Sequence, residues 1–419
     1  MESTLINLPG VQIKEVRLSG SPIAGVSTSI AGFVGQAPLN RFLYQAKVIT
    51  SKEQFDALYI LEDPINPVQP PLPIPKPDPL PDPERTMIEP DHPQIVTAVR
   101  SKPLSRAVQG FFENGGNFCY VVNVGEPEPA PASPRHNLIT NIIDGLALLE
   151  VIDEISIIAA PGFPEDGIRI ALKDQAVRTG DRVALLDPPS AVTVTDPADK
   201  TQLPRPVDSQ YAAYYYPQVQ VGKLLPSDPP TEFVTPVGHI AGVYARVDAT
   251  RGVHKAPANE SIRGVLGLEQ LITDKQQNSM NDRSVNALRL FSGNVVIWGA
   301  RTTSTDSIWR YVNIRRLVNY IEKSLQVGLR WAVFEPNKDT LRKQISRSVR
   351  DFLTGIWRDG ALFGDTADQA FYVRFPEIFN TGAERALGKL TMEIGLRAAY
   401  PAEFIIIRIG LLIQDDNAA

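Results

Sequence analysis

This 419-residue sequence contains few side chains that could act as the base or nucleophile of a hydrolase. They are four histidines and one cysteine, namely His92, His136, His239, His254 and Cys119. A nucleophilic hydrolase needs a base beside its nucleophile, and that base is usually a histidine. His92 lies within a proline-rich run and His136 just after another. His239 and His254 lie among prolines and glycines without a nucleophile elbow of the GxSxG type. We therefore expect solvated loop histidines and no catalytic residue.

The sequence also lacks the common motifs that bind metal ions or nucleotides. It contains no HExxH motif, no histidine pair at helical spacing and no acidic loop with a suitably placed glycine. The glycine-containing runs at 114–118 and 264–269 have neither the Walker lysine nor the GxGxxG spacing of phosphate-binding loops. We expect no metal site and no cofactor.

Length and composition indicate two to three folded domains of roughly 150 residues each. A single cysteine excludes a disulfide framework and suits a reducing compartment, so we expect assembly in the cytoplasm. The longest apolar runs fall far short of the roughly 18 residues that a membrane span requires, so no stable membrane insertion is expected. The net charge of −5 is mild and argues against direct binding of nucleic acid.

Proline is the unusual component, because 36 prolines are about 9% of the chain against a usual ~5%. Twelve of them lie between residues 64 and 93, and four more lie between 126 and 134. Proline fixes φ and removes a backbone donor, so both runs are predicted to be extended, solvated polyproline II segments. A spacer without a partner is the simpler interpretation, and a docking peptide is the alternative.

The middle of the chain alternates helical patterns with short apolar runs, which is typical of α/β layering. Helices are predicted at 104–114 and 138–151, and buried strands at 118–124, 155–160 and 183–186. This alternation predicts a parallel or mixed sheet covered by helices.

Two further helices are predicted toward the C-terminus, with a short strand between them at 331–334. The first helix carries its apolar residues at i, i+3, i+4, i+7 and i+11 from Ile314 and closes at Gly328. The second runs from Asp339 to about Trp357 with its apolar residues within one arc. Its opposite face carries three basic residues, namely Lys343, Arg347 and Arg350. A solvated face and a binding face are both open interpretations.

Both ends of the sequence are predicted to be extended. Residues 11–18 alternate and then change phase, which indicates a strand with a bulge, and residues 403–413 form a nearly continuous apolar strand. Such strands are aggregation hazards unless something pairs with them. They fit the chain's own sheet and insertion into a neighbouring copy equally well. The apolar residues that define the two arms are Val11, Ile13, Val16, Leu18, Phe404, Ile405, Ile406, Ile407 and Ile409.

Several collinear motifs resemble the contractile tail sheath family of bacteriophage tails and contractile injection systems. Near the start they are LPGVQIKEV and SPIAGVSTSIAGFVGQA, and in the middle RGVHKAPANE, NDRSVNALR and WGART. The C-terminal part carries YVNIRRLVNYIEKSL, WAVFEPN, FLTGIWRDGALFG and PAEFIIIRIG. Together they cover most of the chain outside the proline-rich runs.

The resemblance implies an α/β (mixed α+β) fold with a non-catalytic, subtilisin-like middle domain and a smaller C-terminal sheath domain completed by the N-terminal segment. We expect six regions: an N-terminal arm (1–20), the N-terminal part of the inner sheath domain (21–60), a proline-rich insertion (61–94), the middle domain (95–300), the C-terminal sheath domain (301–402) and a C-terminal strand arm (403–419).

The resemblance also implies a structural function and no enzymatic activity. The expected protein polymerises as stacked hexameric rings around an inner tube and contracts to drive the tube through a target envelope. Its expected partners are further copies of itself, the inner tube protein, and baseplate and terminator or cap proteins. Lys343, Arg347 and Arg350 are the expected tube contact. The alternatives are a minor sheath paralogue next to the baseplate or terminator and, much less favoured, a subtilisin-like hydrolase.

Overall fold

The computed structural model describes residues 22–60, 102–125, 134–189 and 194–403, with the backbone alone for 134–137. The chain divides into a large unit, residues 27–320 and 400–419, and a small unit, residues 1–26 and 321–399. The helices of the large unit are α1 (Lys52–Tyr59), α2 (Pro103–Glu113), α3 (Pro134–Glu150), α4 (Asp166–Thr179), α5 (Val237–Arg251) and α6 (Asp274–Asn281), followed by α7 (Val312–Gly328), within which the division falls.

A mixed sheet of nine strands forms the large unit, in the order β2-β3-β1-β4-β5-β6-β11-β12-β9. The strands from β3 to β11 run parallel, while β2 at one edge and β12 and β9 at the other run antiparallel to their neighbours. A second sheet has the order β10-β7-β8. The strands are β1 (Ala31–Gly35), β2 (Ala46–Ile49), β3 (Cys119–Asn123), β4 (Ile157–Ala159), β5 (Val183–Leu186), β6 (Ala212–Tyr216), β7 (Val219–Gly222), β8 (Thr231–Val234), β9 (Glu260–Ser261), β10 (Gly267–Leu268), β11 (Asn286–Phe291) and β12 (Asn294–Ile297).

Two hydrophobic cores cover the faces of the nine-stranded sheet, because successive strand residues point to opposite faces. In β6, Tyr215 belongs to the core beneath α1, α2 and α5, while Tyr214 and Tyr216 belong to the core beneath α3 and α4. The central strands are buried on both faces, which explains their continuous apolar sequences. The predicted α/β layering is therefore confirmed.

Helices α2 and α5 pack unusually closely. A Cβ added at Gly238 of α5 would clash with the carbonyl oxygen of Ala107 in α2, and one at Gly242 would clash with the carbonyl oxygen of Phe111. Glycine is required at these positions for the approach of two backbones. His239 lies between them in sequence and is buried on α5, so its prediction as a solvated loop residue was wrong.

The small unit contains the end of α7, followed by one long helix and several short elements. They are α8 (Asp339–Arg358), α9 (Ala367–Ala370), β13 (Phe371–Arg374), α10 (Gly382–Ala386) and β14 (Glu393–Leu396). Strands β13 and β14 pair antiparallel, with Phe371 opposite Leu396. Helix α8 buries Leu341, Ile345, Val349, Leu353 and Ile356 along one side, as the sequence pattern predicted.

The strand predicted at 331–334 is absent, since Arg330–Ala332 is a single turn of 3-10 helix. The backbone donors of this segment are satisfied locally, with the Ala332 amide bonding to the Leu329 carbonyl at 2.9 Å. Phe334 then adopts a left-handed φ of 69°, which ends any extended path. A short apolar run without a strand partner forms a turn here.

The large unit extends beyond the middle of the chain in both directions. Residues 27–60 belong to the large unit, because β1 and β2 hydrogen-bond into the nine-stranded sheet. Residues 301–320 also belong to it, and an antiparallel bridge joins Arg301 to Tyr311 there. Apart from Glu403, both arms lie outside the described residues, as do most of both proline-rich runs. The arm residues concerned are Val11, Ile13, Val16, Leu18, Phe404, Ile405, Ile406, Ile407 and Ile409.

Candidate assembly surfaces

The basic face of α8 consists of Lys343, Arg347 and Arg350, and all three side chains are exposed. The apolar stripe of α8 is buried, so the amphipathic helix directs its cations to solvent. Arg347 lies 4.0 Å from Asp351, and Arg350 lies 3.5 Å from Asp368. Ion pairs this exposed contribute only about 0–1 kcal/mol and exchange readily with other partners. The face is therefore available for an anionic surface.

Strands β13 and β14 form a second candidate surface. Phe371 and Val373 are buried, whereas Tyr372 and Arg374 point outward, which is the alternation of a half-buried sheet. Among the described residues each strand has one partner, so the outer edge of each strand carries no further strand. Such an edge offers its amide and carbonyl groups to an additional strand.

Exposed apolar side chains accompany these strands in the small unit. Phe334 is fully exposed on its left-handed backbone, and Ile378 and Leu387 are 75% and 69% exposed. Solitary exposed apolar residues are ordinary, but an exposed phenylalanine on a strained backbone is uncommon. The small unit thus exposes apolar side chains as well as open strand edges, and both are features of association surfaces.

The large unit contains one buried acid at the position where α/β enzymes often place catalytic groups. Asp187 follows β5, and its carboxylate accepts hydrogen bonds from the amides of Gly162 and Phe163 and from the hydroxyl of Thr235. Burial raises its pKa to about 7, while these hydrogen bonds act in the opposite direction. Through these three hydrogen bonds the carboxylate connects the loops after β4, β5 and β8. Asp187 therefore has a structural role in this sheet.

His239 is the buried histidine of the large unit. Burial, with a smaller effect from nearby Arg106, lowers its pKa to about 4, and its Nδ1 has no hydrogen-bond partner among the described residues. Its ring packs against Gly110 of α2. Within the described part of the chain, neither a carboxylate nor a hydroxyl is hydrogen-bonded to Nδ1, so this side of the ring lacks the triad arrangement of a hydrolase there.

Sequence reasoning missed one charged contact at the end of the described chain. Arg301 pairs with Glu403 through two hydrogen bonds, and Tyr311 bonds to the same carboxylate. Both partners lie in motifs that resemble the sheath family, WGART and PAEFIIIRIG, but no local pattern links residues so far apart in sequence.

No helix among the described residues has the length and apolarity to cross a membrane.

Comparison with known proteins agrees with this architecture. Residues 140–303 match the phage tail sheath protein central domain, and residues 304–411 match the phage tail sheath C-terminal domain. The tail sheath protein of Burkholderia phage BcepMu is 25% identical over 265 residues, which cover 59% of this chain and 53% of that protein. The chain spans about half the length of the curated relatives it matches.

Solved structures match almost the whole chain. A chain of the anti-feeding prophage baseplate is 28% identical with a TM-score of 0.68, covering 98% of this chain and 100% of that one. A chain of the contracted anti-feeding prophage helical sheath is 27% identical with a TM-score of 0.68, covering 97% and 99%. The fold and the matches define a structural protein of contractile tails. The chain belongs to the phage tail sheath family.

Proposed function

We propose that this chain is the subunit of a contractile sheath, polymerising as stacked hexameric rings around an inner tube and shortening to drive the tube through a target envelope. The observation that carries the proposal is the match over nearly the full chain to a helical sheath at 27% identity. The order of the two sheath domains supports it. In this role the protein acts by assembly and not by catalysis, and it works in a phage tail or phage-tail-like particle assembled in the bacterial cytoplasm.

Strand exchange would hold the rings together. The open edges of β13 and β14 are suitable acceptors for the two arms predicted at 1–20 and 403–419, each supplied by a neighbouring copy. A contact in which each copy donates to the next generates a helix when it does not close into a ring. Backbone hydrogen bonds between arms and acceptor strands would persist while folded units rotate, which keeps the lattice connected during contraction.

The basic face of α8 would contact the inner tube. Residues 301–360 contain twelve basic and six acidic residues, although the chain as a whole is acidic. Exposed ion pairs are individually weak, and weak contacts repeated in every ring suit an interface that has to release during contraction. The remaining expected partners are the baseplate, which would trigger contraction, and the terminator or cap.

The energy for contraction would be stored in the extended lattice, because the sequence has no nucleotide-binding motif to supply it. A contracted lattice that buries about 100 Å² more apolar surface per subunit gains ~2.5 kcal/mol for each copy. The extended lattice would then be metastable, and the trigger would shift the population to the contracted state.

A second candidate is a minor sheath paralogue that sits next to the baseplate. It is favoured by one observation, the 28% identical match to a chain in the anti-feeding prophage baseplate structure. Negative-stain microscopy of the purified protein, alone and with its tube protein, separates the two. Long striated cylinders support the main sheath, whereas monodisperse globules under both conditions contradict it and favour the paralogue.

A further inference from the structure

The last described residue, Glu403, is held by a charged contact with defined geometry. Arg301 donates from Nε and Nη2 to the two carboxylate oxygens of Glu403 at 2.9 and 2.8 Å. The hydroxyl of Tyr311 donates to the same carboxylate at 2.7 Å. The Arg301 and Glu403 side chains are only 12% and 21% exposed. A two-point guanidinium–carboxylate pair in such a setting is among the stronger polar contacts of proteins.

Arg301 is itself fixed to the nine-stranded sheet. Its amide donates to the side-chain oxygen of Asn286 at 2.7 Å, and the Asn286 amide group donates back to the Arg301 carbonyl at 2.8 Å. Asn286 begins β11 and is buried. Arg301 Nη1 also donates to the carbonyl of Asn281 at 2.7 Å. The arginine that holds Glu403 is therefore part of the rigid core of the large unit.

A second contact holds the same short segment three residues earlier. The ring of Tyr400 packs edge-on against the ring of Tyr311, with centroids 6.3 Å apart. The Tyr400 hydroxyl donates to the carbonyl of Ile308 at 3.3 Å. Residues 400 and 403 thus attach to one stretch of the large unit, 301–311, immediately after the chain leaves the small unit at Ala399.

We propose that Glu403, Arg301 and Tyr311 form an anchor that fixes the base of the C-terminal arm to the large unit, so that tension in an inserted arm reaches the nine-stranded sheet. This inference rests on the proposed function. When an arm inserted into another copy is under tension, the force acts first on the residues that join the arm to its own subunit. Without the anchor, residues 400–403 would be released and would lengthen the chain between the large unit and the acceptor, which lowers the effective concentration of the arm at that acceptor. The anchor therefore favours assembly as well as transmission of tension.

The test compares Glu403→Gln and Tyr311→Phe with the parent in the full chain. Glu403→Gln preserves shape but removes the charge opposite Arg301, and Tyr311→Phe removes one hydrogen bond while keeping the ring contact with Tyr400. Glu150→Gln is the matched control, because it weakens a two-point pair with Arg178 on the exposed surface of the large unit. Each protein is assembled with its tube protein, and the critical concentration for cylinders is measured by sedimentation and negative-stain microscopy.

Hydrogen exchange of a peptide covering residues 398–408 in the unassembled chain is the second readout. We expect Glu403→Gln to raise the critical concentration about tenfold and to speed exchange in that peptide at least tenfold, with protection elsewhere unchanged. Tyr311→Phe should give smaller changes in the same direction, and Glu150→Gln should match the parent.

Assembly of Glu403→Gln and Tyr311→Phe at the parent's concentration would overturn the anchor, as would loss of protection across the whole large unit. A parent chain that forms no cylinders contradicts the proposed function instead. In that event the exchange experiment still decides the anchor, because faster exchange confined to the 398–408 peptide supports it and unchanged exchange rejects it.

Discussion

Arg316 and Asp248 form a buried two-point ion pair between α7 and α5 in the large unit. Arg316 Nη1 lies 2.9 Å from one carboxylate oxygen of Asp248, and the other oxygen accepts bonds from Arg316 Nη2 and the Thr28 hydroxyl. Arg316 also donates to the Thr28 carbonyl at 2.8 Å. The two side chains are 3% and 7% exposed. One ion pair therefore joins three segments that are far apart in sequence.

Asp248→Asn should destabilise the large unit by about 3–5 kcal/mol, because the substitution leaves the Arg316 guanidinium buried without its counter-charge. Denaturant unfolding monitored by circular dichroism measures the change. Asp274→Asn is the control, since Asp274 is 93% exposed where it pairs with Arg289, and it should cost less than about 1 kcal/mol. Equal effects of the two substitutions would show that the buried pair has no special role.

Gly238→Ala should destabilise the chain by about 1–3 kcal/mol, because the added methyl group has to push α5 away from the α2 backbone. Alanine otherwise favours a helix over glycine by about 1 kcal/mol. Gly355→Ala in α8 provides the matched control, since nothing lies within 4 Å of the position that its Cβ would take. Opposite signs in thermal unfolding are expected, and a stabilising Gly238→Ala would contradict the close-packing argument.

The stability of the large unit should contain two pH-dependent contributions of opposite sign. Asp187 has an ordinary pKa of 3.8, which burial raises to about 7, so the folded state keeps a proton that the unfolded state loses between these values. The contribution of Asp187 to the free energy of unfolding is complete below pH 3.8 and falls as pH rises toward 7. His239 has an ordinary pKa of 6.5, which burial lowers to about 4, so its contribution is complete above pH 6.5 and falls as pH drops toward 4.

The two slopes should largely cancel between pH 4 and 6.5, each being at most about 1.4 kcal/mol per pH unit. Asp187→Asn should expose the histidine slope, so that the free energy of unfolding rises with pH. His239→Gln should expose the opposite slope. Denaturant midpoints at pH 4.5, 5.5 and 6.5 test this, and parallel pH profiles for the parent and both variants would refute it.

The sequence predicted the elements whose patterns are local and missed those set by tertiary contacts. The apolar stripe of α8 and the buried strand at 183–186 depend on periodicity and burial alone, and both are present. The segment around His239 was predicted as a loop because Pro236, Gly238 and Gly242 are poor helix formers. Those glycines are instead required by the approach of α2, which no single-sequence pattern contains.

The residues of the candidate surfaces were likewise predicted where the sequence pattern is local and missed where a tertiary contact decides. The exposure of Lys343, Arg347 and Arg350 follows from helical periodicity and is observed. Their role at an inner tube stays a prediction. The pairing of Arg301 with Glu403 depends on how the chain returns to the large unit after the small one, and a single sequence does not encode that path legibly.

Removal of either arm should abolish polymerisation while leaving the large unit folded. Deletion of residues 1–18 or truncation before Phe404 takes away a predicted donor strand, while the nine strands described for the large sheet all fall between residues 31 and 297. Circular dichroism and analytical sedimentation measure folding and assembly. Normal tubes from either truncation would refute arm exchange, and loss of all structure would show that the ends belong to the chain's own core.

Reversal of the basic face of α8 should impair assembly around the tube without unfolding the sheath subunit. The triple change Lys343→Glu, Arg347→Glu and Arg350→Glu affects exposed side chains only, so the free energy of unfolding should change by less than about 1 kcal/mol. If these cations contact an anionic tube surface, each reversal replaces attraction by repulsion. The parent should lose tube binding gradually as salt is raised, because screening shortens the range of the attraction to about 10 Å at 0.1 M ionic strength.

A matched triple variant controls for the change in net charge. Lys200→Glu, Arg251→Glu and Lys275→Glu alter exposed cations of the large unit by the same total charge. Co-sedimentation with preformed tubes between 20 and about 300 mM salt should give near-parent binding for this control and none for the α8 variant at any salt. Equal binding by both triple variants would place the tube contact elsewhere, and equal loss by both would attribute the effect to net charge and not to the α8 face.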